Sequence, residues 1–335
     1  MSARLELRDP GTGGGRRAVV TGAGGFIGSH LVEHLLDLGH AVVGVDSFGE
    51  HYPSAIKRMN LDGAAAELRF ELVEADLTND EIDALLAGVD IVFHLAARPG
   101  VQESWCDFRG YLDANIAASN AVFAAATAAG TPVIYASSSS VYGDAARLPV
   151  TEDEPLAPIS PYGASKVMTE ALANAFVASA GLDAVGIRYF SVYGPRQRPD
   201  MAVAKFIEAL VEGRPLPVFG DGRQRRDMTY IGDAVQATIA AAELGRPGRI
   251  YNVASGAPTA LLAMLEQLAE VTGADLQLQH LPDQAGDVRE TWGDISRAAD
   301  ELGYAPAVSL REGLERQVNE AAQRRSLAVE LGTGE

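Results

Sequence analysis

Apolar positions along this chain change their spacing in a repeating way, and that spacing predicts the elements. Ala18-Val19-Val20-Thr21 is a strand-length apolar run followed by a glycine-rich turn. Ile27, Leu31, Leu35 and Leu38 then recur three or four residues apart, one face of a helix that Gly39 ends. Further strand runs are predicted over 41–46, 69–76, 90–97, 132–139 and 184–191, with helical stretches between most of them. Apolar strands alternating with helices predict an α/β fold, a parallel sheet covered on both faces that binds ligands at the carboxyl ends of its strands. From Pro195 onward prolines punctuate the chain, and helices are predicted over 201–212, 233–244, 260–272 and 309–324. This predicts a smaller α/β lobe, mainly 186–325, interleaved with the last strands of a sheet domain beginning at residue 16. Residues 1–15 carry no apolar period and are expected to be a flexible tail.

Composition narrows the partners. Hydrophobic residues make up 47% and charged residues 21%, enough for a large core. The formal net charge of −18 repels phosphate backbones, so nucleic acid and anionic membrane are not expected partners. An anionic ligand must be held by a local arrangement against that field. The lone Cys106 forms no internal disulfide and is expected to serve packing in a reducing compartment. No apolar run approaches the roughly 18 residues of a membrane span, so a soluble, cytoplasmic protein is expected. His30 and His34 are the only histidines spaced as a pair; they are expected on the solvent side of the first helix, and no metal is expected.

Candidate chemistry begins at the first turn. Thr21-Gly22-Ala23-Gly24-Gly25-Phe26-Ile27-Gly28 joins a strand to a helix, and its glycines let backbone approach a pyrophosphate on the helix N-terminus. Asp46 ends the second strand, where an acid accepts from ribose hydroxyls and repels a 2′-phosphate, favouring NAD over NADP. Farther on, Ser160 and Pro161 open a helix carrying Tyr162 and Lys166 one turn apart on one face. A nearby ammonium, and the positive nicotinamide of NAD, favour a phenolate that can take and return a proton. Upstream, Ser137-Ser138-Ser139-Ser140 ends an apolar run and offers hydroxyls to a substrate.

The glycine spacing of Gly22, Gly25 and Gly28, with this serine run and the Tyr162/Lys166 pair, resembles the extended short-chain dehydrogenase/reductase superfamily. The resemblance implies a Rossmann-type doubly wound domain over 16–185 and a catalytic Ser138, Tyr162 and Lys166. It also implies NAD contacts from Gly22, Gly25, Phe26, Ile27, Gly28, Asp46, Asp76, Leu77, Leu95, Ala96, Ala97, Tyr162, Lys166 and Tyr189. Arg188-Tyr189-Phe190-Ser191-Val192-Tyr193-Gly194-Pro195, Val218-Phe219-Gly220-Asp221-Gly222, Arg226-Asp227-Met228-Thr229-Tyr230-Ile231 and Gly286-Asp287-Val288 are similar to the nucleotide-sugar epimerase and dehydratase branch. That branch implies Phe219 in a uracil pocket, Arg226 and Arg289 on the pyrophosphate, and Asp287 on a ribose. Arg223 and Arg225 are expected to be solvated.

Dehydratases of this branch carry Asp-Glu directly before Val-Tyr-Gly, and UDP-glucuronate decarboxylases a Glu in the second position. Here both are hydroxyls, Ser139 and Ser140, which leaves C4 epimerisation. Gly194-Pro195-Arg196-Gln197-Arg198-Pro199-Asp200 resembles the segment that UDP-glucuronate 4-epimerases carry, in which the arginine at Arg198 pairs with the sugar carboxylate. Ser138, Ser139, Ser140 and Ser191 are expected to accompany it. A salt bridge from Arg198 to a nearby acid is the bland alternative. Gln102 replaces an arginine common in that group, and Gln284 stands where some relatives place a phosphate-binding arginine. The competing readings are a UDP-glucose or UDP-N-acetylhexosamine 4-epimerase and a silent NAD-binding sensor. The resemblance further implies a homodimer through helices near 110–129 and 161–180.

Overall fold

Six of the predicted runs form strands: β1 (Arg17–Thr21), β2 (Ala41–Asp46), β3 (Phe70–Glu74), β4 (Ile91–His94), β5 (Val133–Ser138) and β6 (Ala184–Tyr189). A seventh, Ile250–Val253, was not among the predicted runs. The computed structural model describes residues 15–49, 51–78, 82–284 and 286–330, so the expected tail lies outside the described residues apart from Gly15. All seven strands run parallel in the order Ile250–Val253, β6, β5, β4, β1, β2, β3. This is the doubly wound Rossmann-type sheet. Its order reverses direction at β1, and the crevice between β1 and β4 is where such sheets take a ligand.

Alternation along the strands builds a core on each face. Val19, Val92, Val133 and Tyr135 pack into one cluster, and Ala18, Val20, Ile91, Phe93 and Ile134 into the other. Helix α1 (Phe26–Asp37) buries Leu31, Val32 and Leu35 against the second cluster, about 1.5–3 kcal/mol for each side chain. Beyond β6, apart from Ile250–Val253, the strands pair in small sheets: Ser191–Tyr193 with Met228–Tyr230, Leu216–Phe219 with Leu278–Leu281, and Arg225–Arg226 with Thr259–Ala260. The four later helices that were predicted are Ala202–Val211, Ile231–Leu244, Leu261–Thr272 and Leu310–Glu330, and a short unpredicted one, Ser296–Leu302, precedes the last. No described helix is long and apolar enough to cross a membrane.

Two expectations are corrected here. Cys106 is exposed at the end of a short turn, so it does not serve packing. His30 does not face solvent and His34 is half-buried, because α1 is covered on a second flank by the later part of the chain. His30 Nε2 meets the Pro195 carbonyl at 2.9 Å, His34 Nε2 meets Gln236 at 3.1 Å, and Arg196 pairs with Glu33 between them. Arg196 holds its place with φ of 63°, a left-handed conformation uncommon for residues other than glycine.

Burial pushes the His30 pKa down to about 4, while the Pro195 carbonyl works the other way. The unfolded chain, with an ordinary histidine, binds the proton first as pH falls below about 6.5. Stability is therefore complete above that value and is lost between about 6.5 and 4. His30→Gln, which keeps a donor for Pro195 and does not titrate, should recover about 1–3 kcal/mol of that acid loss. Urea unfolding of both proteins at neutral and mildly acidic pH measures it; parallel pH dependences would mean that His30 is not the titrating group.

Candidate active site

A cavity of about 930 Å³ opens at the carboxyl ends of β1, β4, β5 and β6. Every residue expected to contact the cofactor lines it, from Gly22 to Tyr189. At the turn after β1, Gly22 adopts φ of 71°, and a Cβ there would stand 2.9 Å from the Ala96 nitrogen. A Cβ on Gly28 would lie 2.0 Å from the Gly22 carbonyl oxygen. The turn therefore closes only with glycine at both positions, and it leaves bare backbone at the start of α1 for a pyrophosphate.

Asp46 is buried and braced. Its carboxylate accepts from Gly24 N at 3.0 Å and Phe48 N at 2.8 Å, and Lys57 Nζ lies 3.7 Å away. Phe48 itself sits at φ of 48°, a left-handed conformation uncommon outside glycine, where the chain turns past Asp46. Asp76 lies just past the end of β3, not within it, and accepts from the Thr78 amide and hydroxyl. The glycine cradle and the fixed acid both fit NAD.

A buried polar chain that sequence reasoning missed shapes the crevice. Ser119 donates to the Asn115 carbonyl, so its oxygen is left to accept from His94 Nε2 at 3.0 Å. His94 Nδ1 then accepts from Thr21 Oγ1 at 2.9 Å, whose oxygen takes the Ala96 N–H at 3.2 Å. Only the neutral Nε2–H tautomer satisfies this chain, and burial pushes the His94 pKa down to about 3. The signal available in sequence was a histidine ending an otherwise apolar strand.

The expected triad is built by two elements. β5 ends at Ser138, whose oxygen accepts from Ser140 N at 3.1 Å and caps the short turn that follows. Helix Pro161–Ala180 starts where predicted: Ser160 Oγ accepts from Gly163 N at 3.0 Å, and Pro161 occupies the first turn. Tyr162 and Lys166 line the same cavity as Ser138. Lys166 Nζ donates to the Ala136 carbonyl at 3.0 Å, and burial lowers its pKa to about 8. Burial pushes the Tyr162 phenol above its ordinary value, while a hydrogen bond with Ser138 and the charge of Arg198 pull it back. Bound NAD would add a positive ring to that second group of influences.

Ser139, Ser140, Ser191 and Arg198 also line the cavity. Arg198 is already engaged by Asp200, with Nε donating at 2.9 Å and Nη2 at 2.7 Å. The bland alternative for Arg198 is thus present in the protein by itself. Asp200 also completes a group with His51 and Glu103 whose potential ligand atoms lie within 4.8 Å of one another, a clustering the sequence did not reveal. Arg198 on Asp200 and His51 Nδ1 on Glu103 at 3.0 Å already use two of those carboxylates. Phe219, Arg226, Asp287 and Arg289 do not line the cavity. Arg226 pairs with Asp287, Arg289 lies 3.7 Å from Asp221, and Arg225 pairs with Glu290 while Arg223 is exposed.

Sheet, cradle and hydroxyl–phenol–ammonium cluster together define an enzyme that uses a nicotinamide dinucleotide at a hydroxyl-bearing carbon. The chain belongs to the NAD dependent epimerase/dehydratase family, whose profile matches residues 18–254. It is 40% identical over 308 residues to a Bacillus subtilis (strain 168) protein named uncharacterized UDP-glucose epimerase YtcB, covering 90% of this chain and 96% of that one. The UDP-glucuronate 4-epimerase of Thermodesulfobacterium geofontis is 36% identical over 308 residues, covering 90% and 94%. The crystal structure of the Bacillus cereus UDP-glucuronic acid 4-epimerase, in complex with UDP-glucuronic acid and NAD, is similar with a TM-score of 0.89. It is 38% identical and covers 92% of this chain and 99% of its own.

Removing the Asp46 carboxylate should loosen the glycine turn and remove the repulsion of a 2′-phosphate. Asp46→Ala should bind NADH about tenfold more weakly, with a narrower preference over NADPH. Fluorescence titration of both reduced cofactors gives the two ratios. Equal affinities in the unsubstituted protein would defeat the assignment of Asp46.

Proposed function

We propose that this chain catalyses the C4 epimerisation of UDP-glucuronate to UDP-galacturonate through a transient 4-keto sugar. The observation that carries the reading is that Arg198 and the Ser138–Ser140 hydroxyls line one cavity with Tyr162. Bound NAD supplies the hydride acceptor and donor. Tyr162 takes the 4-hydroxyl proton and returns it, with Ser138 holding the hydroxyl and Lys166 setting the local charge. Neither Ser139 nor Ser140 can carry the proton that dehydration across C5 and C6 requires. The 4-keto form of glucuronate is a β-keto acid, and it loses CO₂ when the C5–C6 bond stands perpendicular to the carbonyl plane. An arginine fork on the carboxylate holds that bond away from the alignment.

Residues 186–325 form the nucleotide-sugar lobe in this reading, with Phe219 against uracil, Arg226 and Arg289 on phosphate, and Asp287 on ribose. A second reading, epimerisation of UDP-glucose, is favoured by one observation: Asp200 already satisfies Arg198, and a neutral sugar leaves that pair undisturbed. The lone, unpaired-by-disulfide Cys106 supports a cytoplasmic location.

Incubation with UDP-glucuronate and with UDP-glucose, followed by NMR of the sugar anomeric protons, tests the assignment. UDP-galacturonate should form. Tyr162→Phe, which deletes one oxygen, should retain no more than about 1% of turnover. Exclusive conversion of UDP-glucose would select the second reading, and substantial activity in Tyr162→Phe would mean another base.

We also propose a homodimer through the faces of helix Pro161–Ala180 and the segment 108–129, where Leu112, Ile116 and Leu172 line a shallow groove beside the exposed Met168. Sedimentation at micromolar protein should give twice the chain mass, and Leu172→Asp should shift it towards the monomer.

A further inference from the structure

The Arg198–Asp200 pair lies on the wall of the reaction cavity, and its geometry bears on substrate choice. Both oxygens of Asp200 take parallel bonds from the Nε–Nη2 edge, the edge best shaped for a carboxylate. The Arg198 side chain is 13% exposed and that of Asp200 is 30% exposed. The aspartate can therefore swing out and rehydrate, whereas the arginine is held by its surroundings. Burial works against the charge on Asp200, but Arg198 and His51 hold its carboxyl below the ordinary value, so it is an anion at neutral pH. Glu103, tied to His51 Nδ1, adds negative charge nearby, while Arg98 is spoken for by Asp107.

We propose that Asp200 is a specificity-determining residue, an internal carboxylate that occupies the Arg198 fork and competes there with the C6 carboxylate of a uronate. The inference rests on the reading that the C6 group of the sugar lies at Arg198. With the pair closed, the charge of the guanidinium is compensated, and a hydroxymethyl sugar meets no unpaired cation there. A uronate enters by exchange, one carboxylate replacing another on the same donors. The bonds nearly cancel, so its affinity is set by what Asp200 gives up and by the repulsion between the two anions. An aspartate that merely aimed the guanidinium would have the opposite effect when neutralised: Arg198 would lose its orientation and the uronate would bind less well.

Asp200→Asn separates these cases, because the amide oxygen still accepts one bond from Arg198 while the charge is gone. Dissociation constants of UDP-glucuronate and UDP-glucose are measured by calorimetry on the NAD-bound protein. The preference for UDP-glucuronate should rise about five- to tenfold in Asp200→Asn. It should also rise in Asp200→Ser, a second neutral variant should the first fail to fold. In an Arg198→Ala background most of the gain should disappear, as coupling requires. An unchanged or reduced preference in the neutral variants would overturn the proposal. Turnover of the unsubstituted protein reports separately on the reaction. If it converts only UDP-glucose yet Asp200→Asn gains uronate affinity, the competition stands and the glucuronate assignment falls. If it converts UDP-glucuronate and the ratio does not move, the assignment stands and the competition falls.

Discussion

A buried ion pair between Arg188 on β6 and Glu170 on helix Pro161–Ala180 fixes the frame of the site. Both side chains are 5% exposed, and two parallel bonds of 2.9 and 2.7 Å join them. Removing two charges from water is costly, and only full satisfaction offsets it. That satisfaction is present: Arg188 also donates to the Tyr142 hydroxyl and the Glu152 carbonyl, and Glu170 accepts from Ser137. Removing either partner alone would leave an uncompensated charge, a loss of about 3–5 kcal/mol. Glu170 lies one turn beyond Lys166, so the pair sets the register of the helix against β5 and β6. That register brings Lys166 Nζ to the Ala136 carbonyl and Tyr162 to the end of β5.

The same logic of paired charge recurs where the cavity meets anions. With a net charge of −18, an isolated arginine on this protein would find a carboxylate or draw counterions. Arg198 with Asp200, Arg226 with Asp287 and Arg98 with Asp107 are all closed pairs. The dinucleotide cradle uses another device, backbone N–H groups at a helix start, which no side chain can neutralise. In the proposed reading, one anion is met by fixed dipoles and the other by exchange of partners. Dipoles bind without rearrangement; exchange makes affinity depend on the acid displaced.

What the sequence made legible was local. The glycine turn, the Ser160 cap and the Tyr162/Lys166 pair each lie within one element, so spacing alone positions them. The strand runs were legible because a sheet buried on both faces needs continuous apolar residues. Pairings between distant segments were not. His30 meets Pro195 across 165 positions, and the apolar stripe of α1 gives no sign that its flank is covered as well. Thr21, His94 and Ser119 come from three elements and carry no spacing signature. Arg188 was readable in principle, since a charge inside a fully buried strand requires a partner and Glu170 stands one turn after Lys166. The sequence could not choose Glu170 over other acids. Nothing near Cys106 in the sequence marks it as exposed, yet the short turn that carries it sits at the surface.

Helix geometry supplies the remaining link between cofactor crevice and catalytic helix. The segment predicted as one helix near 110–129 widens into a π-helical turn over Leu112–Ala117. Such turns shift backbone hydrogen bonds by one residue and free carbonyls that an α-helix would use internally. The Asn115 carbonyl lies in this turn, and it accepts from Ser119 and from Thr169 on the catalytic helix. Its side chain accepts from Arg98 N at 2.7 Å and donates to Ser165 Oγ at 2.9 Å. One residue therefore ties the loop after β4 to the helix that carries Tyr162. A regular helix would turn the side chains after residue 115 by about 100° and break that set. The π-helical turn lets one asparagine hold the crevice and the phenol in a single frame.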